Sequence, residues 1–185
     1  MSEAENLAPI DLPLSSAGAP LPHVFAVEGR LLIAYIVSVP DRGFDGTNAR
    51  SVSPSTRGQS VAILTADPYL AVQFGPPNDE ALSGHRLYGL GLQPYSAFEV
   101  RNSSWIGSLE KANRVHPSHM PELFSGYRHF ILTFHDSTLE FVAKDFAVSL
   151  RRGAILTALM EIIGHNVSAD RVKPTGFFTR LLRRG

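Results

Sequence analysis

Between Tyr127 and Val142 the chain reads YRHFILTFHDSTLEFV, and its apolar side chains keep a strict parity. Phe130, Leu132 and Phe134 alternate with His129, Ile131, Thr133 and His135; beyond Asp136 and Ser137, Leu139 and Phe141 alternate with Thr138, Glu140 and Val142. Period-two alternation marks a strand with two unlike faces, and two such runs around a short polar break predict a β-hairpin. With Asp136 and Ser137 as a two-residue turn, Phe134 faces Leu139, Leu132 faces Phe141, His135 faces Thr138 and Thr133 faces Glu140. A three-residue loop would set Leu132 against Glu140 and mix the faces. Burial therefore demands an even loop, of two residues or of four.

The same reading extends along the chain. VFAV, then Glu28-Gly29, then RLLIAYIVSV predicts a hairpin over 24–39 whose second strand is apolar on both faces and so covered on both. Residues 41–59 hold glycine and proline breakers without periodicity and form a long loop. Val61 to Phe74 predicts a further hairpin with Asp67-Pro68 in its turn. RLYGLGL, with Gly89 and Gly91, and AFEV are expected as two more strands, the first bulged. Asn102, Ser103 and Ser104 are N-cap residues ahead of a short helix to about Val115, Pro117 stops it, and PELFS offers a single turn. Ile155, Leu156, Leu159, Ile162 and Ile163 share one side of a helix over 153–164, with Gly164 as its expected C′ residue.

Hairpins followed by a helix exclude a chain of βαβ units, which would need helices between successive strands. The expected fold class is α+β: a mainly antiparallel, twisted β-sheet built as a hairpin meander, sandwich-like or barrel-like in closure, with the C-terminal amphipathic helix packed on it. Residues 1–21, rich in Ala, Pro and Ser, read as a flexible arm, and 22–185 as one domain. Within it, 171–185 is a basic amphipathic tail, with Lys173, Arg180, Arg183 and Arg184 around Phe177, Phe178, Leu181 and Leu182.

Composition narrows the chemistry. A chain of 185 residues can build a core without a metal or a disulfide. The complete lack of cysteine excludes disulfides, thiolate nucleophiles, zinc ribbons and cysteine-ligated clusters. Basic and acidic residues balance at 17 each, so no global charge points to nucleic acid. No apolar run approaches the roughly 20 residues of a membrane span, and Glu3, Glu5 and Asp11 do not suit a signal peptide, which together lead to an expected cytoplasmic location.

Four of the seven histidines fall between His116 and His135. His116, His119 and His135 are the candidate ligands for a divalent metal, because imidazoles with nearby carboxylates make zinc and iron sites. Pro117 rules out an i, i+4 helical pair, so His116 and His119 would have to converge from a loop. His129 and His135, six residues apart on one strand face, are roughly 20 Å apart at about 3.3 Å per residue and cannot share one ion. His135 and Glu140 are diagonal neighbours in the two-residue-turn register, roughly 7 Å apart, and form the candidate acid–base pair. The plainer reading of all these residues is a polar sheet end.

No GxSxG elbow and no phosphate-binding glycine motif is present. The expected function is binding of a protein partner or a small ligand, with the sheet as platform and the loops as recognition elements. The alternative is a histidine- and carboxylate-dependent, metal-assisted hydrolase assembled from 114–140. The basic tail is the expected contact for a homo-oligomer or a protein partner.

Overall fold

The computed structural model describes residues 4–39 and 51–170, with side-chain surroundings through Gly164. The expected contents of 40–50 and of the tail 171–185 lie outside the described residues. Among the described residues nine strands form two antiparallel sheets that share one core, without a closed barrel. In chain order they are β1 (Asn6–Pro9), β2 (His23–Val27), β3 (Arg30–Ile36), β4 (Gln59–Ala66), β5 (Tyr69–Gly75), β6 (Ala97–Arg101), β7 (Arg128–Thr133), β8 (Thr138–Ala143) and β9 (Ala147–Gly153). Helices α1 (Ser104–Asn113) and α2 (Glu122–Ser125) precede β7, and α3 (Ile155–Asp170) follows β9. One sheet has the order β1-β6-β7-β8-β5 and the other β2-β3-β4-β9.

Parity sends each side chain to its layer. Leu31, Ile33 and Tyr35 of β3 with Ala62 and Leu64 of β4 meet Phe130, Leu132, Leu139 and Phe141 of β7 and β8 between the sheets. The alternate residues Leu32, Ala34, Ile36, Val61 and Ile63 face outward and are covered by Ile155, Ala158 and Leu159 of α3. This is why β3 is apolar on both faces. Glu28 and Gly29 turn β2 into β3, with Gly29 at φ +83°, a conformation open to a residue without Cβ.

The hairpin of β7 and β8 adopts the four-residue alternative: Thr133 pairs with Thr138, Leu132 with Leu139 and Ile131 with Glu140, and Phe134 N–H donates to Ser137 C=O at 2.8 Å. An even shift preserves the faces but moves every cross-strand partner by two residues. The strands at 61–74, in contrast, are not a hairpin. β4 pairs with β3 and β9, whereas β5 pairs with β8 in the other sheet. Val61 to Leu64 are buried on both faces, between the other sheet and α3, and the chain turns the corner at Asp67-Pro68 into the second sheet.

Other expectations are corrected locally. The supposed arm contributes β1, which pairs with β6, while Ile10 and Leu12 pack on the core between the sheets. The supposed strand RLYGLGL holds a 3₁₀ turn at Tyr88–Leu90 and, with a preceding 3₁₀ turn at Leu82–Gly84, forms a non-strand cover. Its Leu87 and Leu92, with Leu82, cap Val100 and Ile131 on the outer face of the five-stranded sheet. Helix α3 runs through Gly164 to Asp170 instead of stopping there, since an interior glycine costs only about 1 kcal/mol. No helix among the described residues is long and apolar enough to cross a membrane.

Candidate functional site

Glu140 lies on β8 with its side chain on the outer face of the five-stranded sheet, where the segment 76–95 closes over it. Only 7% of that side chain is exposed. A buried carboxylate demands partners, and three basic side chains supply them. Arg86 Nη2 donates to Oε2 at 2.9 Å, His85 Nε2 lies 3.3 Å from Oε1, and His129 Nε2 lies 2.9 Å from Oε2. The last contact is close but misaligned for a hydrogen bond, so it acts through charge and dipole more than through a directed N–H. Burial pushes the Glu140 carboxyl up, but the imidazoles of His129 and His85 and the Arg86 guanidinium outweigh it and hold the group well below the usual carboxylate range.

The contacts continue in a ring. Arg86 Nη1 also reaches both carboxylate oxygens of Glu5, at 2.9 and 3.2 Å, and Glu5 Oε1 accepts from the backbone N–H and the hydroxyl of Ser104 at the start of α1. On the other side His129 Nδ1 is 2.9 Å from Ser103 Oγ, which caps α1 by accepting from Ile106 N–H, and Trp105 packs edge-on against the His129 ring at 5.0 Å. The N-terminal segment, the cover, the sheet and α1 are thus joined through one set of charges.

His85 Nδ1 accepts from Leu87 N–H at 3.2 Å, which places the ring proton on Nε2, toward Glu140. That tautomer offers no lone pair at Nε2 to a cation, so His85, His129 and Glu140 do not fit a metal. Among the described residues no three His, Asp or Glu side chains are grouped to hold one.

The sequence-derived candidates separate. Because the loop has four residues, the histidine diagonal to Glu140 is His129, and His135 sits in the loop itself. His135 instead pairs with Asp79: its Nδ1 is 2.9 Å from Asp79 Oδ2, and Asp79 N–H donates to His135 C=O at 2.9 Å. Tyr95 OH donates to the same Oδ2 at 2.6 Å and lies 2.9 Å from His135 Nδ1. Tyr95 holds φ +53°, a left-handed conformation uncommon outside glycine. Hydrogen bonds from Tyr95 and His135 lower the Asp79 pKa, Asp79 raises that of His135, and the Tyr95 phenol is pushed up to about 12, first by its bond to Asp79. His119 is engaged elsewhere, with Glu110 Oε1 at 2.8 Å and Asn113 Oδ1 at 2.9 Å, and His116 Nδ1 accepts from Ser118 N–H. Neither is delivered to the hairpin.

Sequence reasoning missed His85, Arg86, Asp79, Tyr95 and Glu5. One signal was present: Ile131 and Val142 share the face of His129 and Glu140, and apolar residues there mean that something covers it. Between the cover and the sheet an open cleft of about 430 Å³ remains, lined by Gln73, Pro77, Ala81, His85, Arg86 and Glu140. No protein-family model, curated protein or solved structure matches the chain.

Proposed function

We propose that this chain is a cytoplasmic, non-catalytic domain that binds a small polar ligand, or a polar group of a protein partner, in the cleft over Glu140. The observation that carries the reading is the internally satisfied floor of that cleft. Glu140 is held ionised by Arg86, His85 and His129, and His85 is locked in one tautomer, so the floor is poorly suited to exchanging protons and well suited to orienting a ligand by fixed hydrogen bonds. Arg86, 40% exposed, is the group best placed to meet an incoming partner. A cysteine-free chain needs no oxidising compartment, which agrees with the cytoplasmic part of the reading. The basic stretch 171–185 would add a second contact for a protein partner. The test is a backbone NMR titration with a panel of small ammonium, carboxylate and phosphate compounds, repeated with Ala81→Trp to fill the cleft. Shifts gathered on Gln73, Gly84, His85 and Arg86 and lost in the variant support the reading. A panel that perturbs none of these positions overturns it.

One observation favours the hydrolase as a second reading, with Asp79 in place of Glu140. Asp79 orients His135 through Nδ1 while the His135 side chain is 44% exposed, the arrangement a general base requires. Turnover of an activated ester that is lost in both His135→Gln and Asp79→Asn would support it; equal background rates in all three proteins would remove it.

A further inference from the structure

The two sheets have four edges, and three of them carry features that prevent another strand from adding. β1 has four residues and ends in Pro9. β2 has five residues and follows Pro22. β5 breaks register between Tyr69 and Ala71 and lies between Pro68 and Pro76. Short strands, prolines and bulges are the usual means of blunting an edge. β9 has none of these. Its seven residues pair with β4 in unbroken register, from Gln59↔Gly153 to Thr65↔Ala147, and its other side has no strand partner among the described residues. Val148 and Leu150 lie opposite Leu64 and Ala62, on the face turned toward the other sheet, yet they are 40% and 62% exposed.

We propose that β9 pairs antiparallel with β9 of a second copy of this chain, joining two four-stranded sheets into one across a two-fold axis at Ser149. The occupant follows from self-complementarity. About Ser149, Val148 faces Leu150 of the partner subunit, and Ala147 faces Arg151 of the partner subunit. The registers two residues away are worse. Centring on Arg151 opposes two arginines, and centring on Ala147 sets Leu150 against Lys144. The proposal is independent of the cleft, which lies on the outer face of the other sheet.

The test is the mass of the full chain by sedimentation across a concentration series, with circular dichroism confirming that each variant is folded. The wild type is expected to dimerise, and Leu150→Lys to raise the dimer Kd by at least about tenfold, because each copy then sets a charge against Val148. Ala147→Glu, set opposite Arg151 of the partner subunit, should tighten the dimer, and adding Arg151→Glu should weaken it again. A wild type monomeric throughout overturns the proposal, as does a dimer indifferent to Leu150→Lys, which would be built on another surface such as the tail. A dimer indifferent to Ala147→Glu overturns the register.

Discussion

Arg86 and Glu140 stand 54 residues apart in the chain, and their side chains meet at 2.9 Å, the guanidinium reaching down from the cover to a carboxylate enclosed above the sheet. The contact holds the 76–95 segment onto β8 and links Glu140 to Glu5 through the same guanidinium.

Replacing Arg86 with Met keeps the stem and removes the charge. Glu140 retains His85 and His129, and Arg86 is partly solvated, so the loss should fall near the lower end of the about 1.5–3 kcal/mol typical of hydrogen bonds to charged groups. Urea denaturation reads it directly; an unchanged midpoint would mean the pair contributes nothing to stability.

Acid should weaken the fold through Glu140. Its folded pKa lies below the ordinary 4.5, so the unfolded chain binds the proton first as pH falls. The stabilisation is therefore fully present above about 4.5 and is lost as pH drops through the folded value. Glu140→Gln should be less stable than wild type at pH 7, with the gap narrowing below pH 4.5. Parallel stability profiles for the two proteins across that range would contradict the role given to the carboxylate.

His135 should titrate above its ordinary 6.5 because Asp79 stabilises the imidazolium. The sign is opposite to that of Glu140: the pair contributes fully below 6.5 and fades as pH rises through the folded value. Proton NMR of the ring should show the raised midpoint, and Asp79→Asn should return it toward 6.5. A midpoint that ignores Asp79→Asn would break the dyad.

Phe141 is fully buried and packs at 5.1 Å from Phe130 and 5.7 Å from Phe146, so Phe141→Ala should cost about 3–5 kcal/mol. From sequence alone, His129→Ala should cost far less, as the loss of a polar residue at a sheet end. In the fold, His129 is fully enclosed beside Trp105 and Glu140, and leaving that carboxylate short of a partner adds about 1–3 kcal/mol to the cavity it creates. Calorimetry on the two variants would separate these expectations: a negligible loss for His129→Ala restores the solvated reading.

What the sequence determined by itself was what repeats locally. The parity of Phe130, Leu132, Leu139 and Phe141 assigns their common face, Glu28-Gly29 assigns a turn, Ser103 assigns a helix start, and β3's apolar run assigns a strand covered on both sides; each follows from side-chain period or backbone preference within a few residues. Tertiary structure decided everything that turns on distance. Two and four loop residues satisfy the hairpin's parity equally, and only packing against the second sheet and the cover selects four, which exchanges His135 for His129 beside Glu140. Asp67-Pro68 serves a hairpin or a corner equally well, and the pairing of β4 with β9 and of β5 with β8, both distant in the chain, selects the corner. His85, Arg86, Glu5 and Asp79 carry no local pattern, because their oppositely charged partners lie between 54 and 81 residues away and charge pairing has no period along a chain.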